Sequence, residues 1–279
     1  MRVKIVTDSA SNMVGMEGPI PFQVVPLKIN TDVKEYVDTA DLDVAQMVKE
    51  MSSYSGKSST ACPGVGDWLA AFEDYDIIYC VTIISTLSGS YNAAMTAKQN
   101  YEEDNPGKRV FVLDSYTAGG EQKMHVEKLR DLVMEGKDYE TVCKEIVEYK
   151  EKGTSLVFSL ESLHNLANNG RVSHAVAKIA GLIGIRMVGD VSAEGQLNPT
   201  DKCRGEKAAL AGIYKNMKRL GYKGGKLVID NCFNEKTATL LKEIVLADFP
   251  DAVVRIEPTR GLCSYYAEKG GLMIGFEVE

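Results

Sequence analysis

The residues with the clearest potential for binding chemistry lie in polar loops directly after predicted β-strands. The segment STLSGSYNAA, residues 85–94, follows the apolar run IIYCVTI. Ser88, Gly89 and Ser90 would form the turn and the first residues of the next helix, where hydroxyl and free backbone N–H groups attract an anion. Ser88 could also act only as the N-cap of that helix, because serine is a preferred N-cap residue, and the two roles are compatible.

Two further predicted strands end in an Asp-Ser pair. TDSAS contains Asp8 and Ser9, and LDSYTAGG contains Asp114 and Ser115. Aspartate at such positions is more typical of turns and caps than of catalysis. In a parallel sheet, ligands bind beyond the carboxyl ends of the strands, so these loops and the Ser88 loop are where a site is expected.

A fourth polar segment, SSTACPGVGDW at residues 58–68, places Thr60 ahead of Pro63 and a predicted helix. A proline near the first helical turn is ordinary at a helix entry. None of the four loops carries Lys or Arg before its helix, so hydroxyls, amides and helix dipoles would hold the anion. A single carboxylate fits that donor set, whereas a triphosphate with magnesium would require a G-x-x-x-x-G-K-[ST] loop.

The first half of the chain has the βα pattern that could position these loops. Short β-branched runs, VKIVTD, QVVPLKI, DIIYCVTI and KRVFVLD, each lead to a turn and then to an amphipathic helix. This pattern predicts a parallel sheet covered on both faces. Apolar spacing predicts helices at residues 43–51, 66–72 and 89–99, and a long pair across 119–151 that ends at a domain boundary near residue 153.

The second half has a different pattern. A strand, SLVFSL, precedes predicted helices around ESLHNLANN and SHAVAKIAGL, and IRMVGDVSAEGQLNPT predicts a hairpin that turns near Glu194 and Gly195. The strand KLVIDNC, a helix at residues 235–248 and the strands AVVRIEP and GLMIGFEVE follow. We therefore expect two domains, an α/β domain at residues 1–153 and one with a mixed sheet and helices on one face at residues 154–279.

Composition excludes several classes of protein. A formal net charge of -7 without a basic block disfavours binding to nucleic acid or to an anionic membrane surface. The six cysteines are scattered without a CxxC pair, as expected for reduced intracellular thiols, so neither a disulfide framework nor a metal site is predicted. We see no secretion signal and no apolar run of about 20 residues, and we therefore expect a cytoplasmic protein without stable membrane insertion.

Six motifs together resemble a known family. TDSAS, Thr60 with Pro63, STLSGSYNAA, LDSYTAGG, NNGRVS at residues 168–173 and CRGEKA at residues 203–208 fall in the order of the DegV family of bacterial fatty-acid-binding proteins. The resemblance runs from residue 3 to about residue 276. It implies an N-terminal three-layer α/β/α domain, a C-terminal two-layer α/β domain, and a tunnel for one long-chain fatty acid at their junction.

The resemblance also implies roles for individual residues. Thr60 and Ser88, with the neighbouring Gly89, match the family's carboxylate-binding positions, so a bound fatty acid rather than a cofactor is expected. Arg171 matches the arginine of the family's G-G-R-I-S stretch and is expected near the carboxylate or at the domain junction. Arg204 matches a later basic motif and is expected to face a partner, the ATP-binding subunit of a fatty acid kinase.

Ser9 and Ser115 form a second tier of candidates and are expected near the head group of the fatty acid or at the domain junction.

The sequence departs from the family pattern at three positions. Cys62 stands where many members have glutamine, Asn169 replaces the first glycine of G-G-R-I-S, and Ala267 stands at the histidine of the C-terminal H-x-G-P-G pattern. The polar contact of that histidine is therefore absent or comes from another residue.

Two enzymes and an interaction module remain as alternatives at this point. A serine hydrolase is disfavoured because Thr86 stands where the G-x-S-x-G turn requires glycine. A dihydroxyacetone-kinase-like subunit would need a histidine that holds its ketone, and His125, His164 and His174 lie in no such motif. Bound fatty acid in the purified protein would favour a carrier, and turnover of an ester would favour the hydrolase.

Overall fold

The computed structural model describes residues 1–180, 184–192 and 194–279, which form three β-sheets and the helices around them. The strands are β1 (Val3–Asp8), β2 (Phe22–Val25), β3 (Lys28–Thr31), β4 (Glu35–Val37), β5 (Ser58–Ala61), β6 (Ile77–Thr82), β7 (Arg109–Asp114), β8 (Thr154–Leu160), β9 (Ile185–Val191), β10 (Leu197–Arg204), β11 (Leu227–Asn231), β12 (Val254–Pro258) and β13 (Leu272–Glu277). The α-helices are α1 (Val44–Ser53), α2 (Val65–Phe72), α3 (Ser90–Asp104), α4 (Gly120–Met134), α5 (Tyr139–Glu148), α6 (His164–Asn168), α7 (His174–Ala180), α8 (Glu206–Arg219), α9 (Glu235–Asp248) and α10 (Gly261–Ala267).

The first sheet has the order β2-β1-β6-β7, and all its strands are parallel. Successive residues of β1 face opposite sides, as strand geometry requires. Ile5 packs with Val126 and Leu129 of α4, whereas Val6 packs with Trp68 of α2. Both faces of the sheet are therefore covered by helices, which confirms the predicted three-layer arrangement.

The run QVVPLKI forms two strands in different sheets, whereas the sequence pattern predicted one. Pro26 has no N–H group to donate, and β2 ends at the residue before it. The chain then enters β3, which pairs antiparallel with β4 and β5 in a sheet of three strands. Thr60 lies in β5, ahead of α2, which begins at Val65.

The second half contains a mixed sheet of six strands in the order β10-β9-β8-β13-β11-β12. Helices α8 and α9 pack on one face, and α4 of the first half contacts the other face at β8, β11 and β13. The sequence analysis missed α8 and α10. A π-helical turn, Tyr149–Gly153, leads into β8, and the division at residue 153 stays a prediction. Residues 181 and 182 of the predicted SHAVAKIAGL helix lie outside the described residues.

Polar contacts join the two halves. Asn12 donates from its side-chain amide to the Asp230 carboxylate at 2.9 Å. Arg255 on β12 forms a two-pronged ion pair with Glu127 on α4, with N–O distances of 2.7 and 2.8 Å. Such paired geometry fixes orientation as well as distance, so α4 and the mixed sheet are held in one arrangement.

Asp230 predicts a measurable dependence of stability on pH. It is fully buried, and burial raises the pKa of its carboxyl to about 7. The folded state therefore keeps the proton over the range in which the unfolded chain loses it, and this contribution to stability is lost as pH rises from about 4 to about 7. Urea unfolding at pH 5 and at pH 8 measures how far the free energy of unfolding falls between these two pH values. This fall should be about 2 kcal/mol smaller in Asp230→Asn than in the wild type.

The matched control for this prediction is Asp251→Asn, at an exposed carboxylate. The control should keep the wild-type pH dependence. An Asp230→Asn variant with an unchanged difference between pH 5 and pH 8 would show that Asp230 does not titrate in this range.

None of the helices in the described ranges is both long and apolar enough to cross a bilayer.

Candidate functional site

An apolar cavity of about 800 Å³, including its opening to solvent, lies between the carboxyl edge of the parallel sheet and the inner face of the mixed sheet. Twenty of the described residues line it, and among these only four are Thr, Ser or Arg, namely Thr60, Ser88, Thr117 and Arg171. The cavity therefore suits a largely apolar ligand.

Strand β8 supplies the central floor of the cavity. Leu156, Phe158 and Leu160 line it, and they share one face of the strand because side chains alternate along a β-strand. Val157 points to the opposite face and packs in the core under α8 and α9. At about 3.3 Å per residue, these lining positions span roughly 13 Å, which gives the cavity an elongated floor.

The loop after β6 forms the opposite wall through Ile83, Ile84, Leu87 and Ser88. Fully buried Asp8 holds this loop, because its carboxylate accepts from the Ile83 N–H at 2.9 Å and from the Ser90 hydroxyl at 2.6 Å. Burial raises the pKa of the Asp8 carboxyl, and these donors oppose part of that rise. Asp8 is thus the turn-holding residue that the sequence predicted.

Four of the five Thr, Ser, Arg and Tyr side chains among the described lining residues lie together at one end of the cavity. The Thr60 and Tyr266 hydroxyls are 2.7 Å apart and hydrogen-bonded. Arg171 donates from Nε to the Leu87 carbonyl at 3.2 Å and from Nη1 to the Asn169 carbonyl, and its guanidinium carbon lies 5.9 Å from the centre of the Tyr266 ring. We call Thr60, Ser88, Arg171 and Tyr266 the polar end of the cavity.

The polar end offers protons rather than lone pairs. Ser88 Oγ accepts the Ser90 N–H at 3.3 Å, which leaves the Ser88 hydroxyl proton for an acceptor in the cavity. A guanidinium has five N–H groups, and the contacts of Arg171 with described residues use two of them. No carboxylate lies among the described lining residues, so this end is suited to an anion.

The structure brings some predicted residues together and separates others. Thr60, Ser88 and Arg171 line one cavity, and Gly89 lies beside them as the N-cap of α3. Ser9 instead accepts the Leu27 N–H at 3.0 Å and is not among the described residues that line the cavity.

Ser115 and Arg204 also lie off the lining. The Ser115 hydroxyl is 2 % exposed and donates to the Thr117 carbonyl at 3.1 Å. Arg204 is exposed at the end of β10. The Ser115 hydroxyl therefore stabilises its own loop, and the Arg204 side chain faces solvent.

Two lining residues, Tyr266 and Thr117, were missed by the sequence reasoning. Tyr266 belongs to α10, a helix of seven residues that carries no clear apolar period. The signal that could have found it is its position directly before Ala267, which is buried and also lines the cavity. Thr117 lies in the LDSYTAGG loop that the sequence singled out, although the Asp-Ser pair was the part considered.

The histidines give no support to a hydrolase. His125 is fully buried, shares a hydrogen bond of 2.8 Å with Thr154, and has its pKa lowered to about 3 by burial. His164 and His174 lie at the surface, and none of the three is among the described residues that line the cavity. Within the part of the chain that the structure describes, Ser88 thus has no histidine beside it to act as the base that a nucleophilic serine requires.

Comparison with known proteins gives consistent results along the whole chain. The family model described as "Uncharacterised protein, DegV family" matches residues 2–279. A DegV domain-containing protein of Streptococcus pneumoniae is 42% identical over 282 residues, which cover 100% of both chains. Another, from Streptococcus gordonii, is 38% identical over 281 residues, again with full coverage of both chains.

Two solved structures are similar to this fold. The Streptococcus pneumoniae Fatty Acid Kinase (Fak) B3 protein, loaded with linoleic acid, has a TM-score of 0.97, 42% sequence identity and full coverage of both chains. A DegV family protein from Eubacterium eligens, loaded with heptadecanoic acid, has a TM-score of 0.96 and 40% identity, and covers 99% of this chain and 100% of that one.

Proposed function

The chain belongs to the DegV family, and on this premise we propose that it binds one long-chain fatty acid in the cavity. The acyl chain lies along the β8 floor, and the carboxylate lies at the polar end, against Thr60, Ser88 and Arg171. The observation that carries the proposal is the distribution of polar groups, because an apolar cavity with its donors gathered at one end matches a molecule with one anionic end.

The binding energy comes from the acyl chain. About fifteen methylenes, at about 0.8 kcal/mol each when removed from water, give a gross gain on the order of 12 kcal/mol. Association costs at least about 4 kcal/mol of this gain, and the remainder is sufficient for tight binding. The relatives from Streptococcus pneumoniae and Eubacterium eligens, loaded with linoleic and heptadecanoic acid, support this ligand class.

The carboxylate requires the polar end because burial of an unpaired charge is costly. Hydrogen bonds to a charged group contribute about 1.5–3 kcal/mol each. Ser88 has a hydroxyl proton for this purpose, the Thr60 and Tyr266 pair has one more, and Arg171 supplies positive charge. The protein acts as a binding protein in this account and performs no chemistry on its ligand.

Titration of the delipidated protein tests the proposal. Calorimetry with oleic acid should give one site and micromolar or tighter binding, and decanoic acid should bind more weakly because fewer methylenes leave water. Hydrolysis of an ester substrate without stable binding of oleic acid would support the hydrolase instead. Absence of binding by any fatty acid would contradict the proposal.

We further propose that the protein presents the fatty acid to the ATP-binding subunit of a fatty acid kinase. The similarity to the Fak B3 protein supports this role. Arg204 is the candidate contact because its charged side chain is exposed. Charged side chains at the rim of an interface chiefly affect the association with the partner.

Charge reversal at Arg204 should separate partner binding from ligand binding. Arg204→Glu is expected to weaken binding to the kinase subunit by about tenfold or more, measured by surface plasmon resonance, with affinity for oleic acid unchanged. Lys144→Glu, on exposed α5, is the control with the same change of charge and should bind the partner normally. Equal partner affinity of the Arg204 and Lys144 variants would remove Arg204 from the interface.

A further inference from the structure

Tyr266 lies at the polar end of the cavity, next to a position where this chain lacks a polar side chain. Its hydroxyl is 2.7 Å from Thr60 Oγ1, and both residues line the cavity. The following residue, Ala267, lines the cavity as well but presents only a methyl group. A polar contact at this end of α10 can therefore come from Tyr266 and not from Ala267.

Contacts at both ends of α10 fix the position of Tyr266. The Asp38 carboxylate accepts the Gly261 and Leu262 N–H groups at 2.8 and 2.9 Å and so caps the start of the helix. Near the helix end, the Tyr265 hydroxyl is 2.7 Å from Ser58 Oγ. The helix is thereby tied to the strands β3 to β5, and Tyr266 is held against Thr60 before any ligand enters.

The hydroxyl pair has one proton available. Thr60 and Tyr266 each have one O–H group, and one of these protons is used in the bond between them. The other can be donated to an acceptor in the cavity from either oxygen. Burial raises the pKa of Tyr266, so its hydroxyl stays protonated at neutral pH and can serve as this donor.

We infer that Tyr266 is a third hydroxyl of the carboxylate site, sharing with Thr60 the one proton that the pair donates to the fatty acid. The inference rests on the proposed function and assigns within it a residue that fixes the head group. Arg171, with its charge 5.9 Å from the Tyr266 ring centre, completes the surroundings of that proton. The site thus recognises a carboxylate through the positive charge of Arg171 and through the hydroxyl donors of Ser88 and of the Thr60 and Tyr266 pair.

The experiment compares oleic acid with its methyl ester in the full-length protein. Tyr266→Phe keeps the ring and removes the hydroxyl, so binding of oleic acid should weaken by about tenfold. The ester carbonyl is neutral and loses a weaker bond, so the preference for acid over ester should fall by about fivefold. Tyr265→Phe is the matched control, because its hydroxyl meets Ser58 and Asn169 rather than the cavity.

A double variant tests whether Thr60 and Tyr266 share the proton that is donated. Because the hydroxyl that remains in either single variant can still donate a proton, Thr60→Val combined with Tyr266→Phe removes the last donor of the pair and should weaken oleic acid binding by more than the product of the two single effects. Equal losses for acid and ester in Tyr266→Phe would indicate a packing role and overturn the inference, as would no loss for either. Wild-type protein that binds neither compound would overturn the proposed function itself, and the inference with it.

Discussion

Replacing Thr60 with Val and Ser88 with Ala in one chain should weaken the binding of oleic acid by about a hundredfold or more. The double variant removes two of the three hydroxyls at the polar end of the cavity. Arg171 and the Tyr266 hydroxyl would then meet the carboxylate without them, and part of the charge would be buried without hydrogen bonds. Calorimetry on delipidated protein measures the loss directly.

This variant should fold normally. Val has nearly the shape of Thr, and Ser88 makes only a weak local contact with the Ser90 N–H at 3.3 Å. The matched control changes two exposed hydroxyls in the same way, Thr96→Val with Ser52→Ala, and should bind oleic acid like the wild type. Wild-type affinity in the Thr60 and Ser88 double variant, with unchanged thermal unfolding, would remove both residues from the site.

Filling the cavity beside Leu156, at the start of the β8 floor, should change the ligand that is accepted. Val191 is partly buried, lines the cavity and pairs with Leu197 at the end of the β9 and β10 hairpin. Phenylalanine there would occupy space that the methyl end of the acyl chain requires. Displacing about four methylenes into water costs on the order of 3 kcal/mol, which corresponds to roughly a hundredfold loss of affinity for oleic acid.

Chain length separates this effect from general damage. Val191→Phe should keep its affinity for decanoic acid, which does not reach that far along the floor. Val253→Phe makes the same change at a site that is 58% exposed and should alter neither affinity. A parallel loss for both acids in Val191→Phe would mean that the substitution disturbs the polar end or the fold, contrary to the proposed orientation of the ligand.

The regular elements of this fold follow closely from local sequence patterns. The predicted helix at residues 235–248 has the same bounds as α9, and the β1, β6 and β7 runs pair in a parallel sheet as expected. The three-stranded sheet did not follow, because Pro26 splits an apolar run whose two parts join different partners. Pairing of β3 with β5 depends on a connection through α1, which no local pattern specifies.

Part of the site could also be predicted from local sequence patterns. Ser88 was found because its loop follows a buried strand directly, and Thr60 and Arg171 entered through motifs of the family. Tyr266 was not found, since its place depends on distant contacts, such as the cap that Asp38 supplies to Gly261 from 223 residues away. Residues whose role depends on docking between the two halves of the chain give little signal in their own neighbourhood.

The crystal structure of this protein saturated with oleic acid tests the central claim most directly. We expect continuous density along Leu156, Phe158 and Leu160, with a carboxylate oxygen within about 3.2 Å of Ser88 Oγ and of the Thr60 and Tyr266 pair. A carboxylate at the Val191 end, or a cavity filled by protein side chains with oleic acid absent from it, would contradict the account.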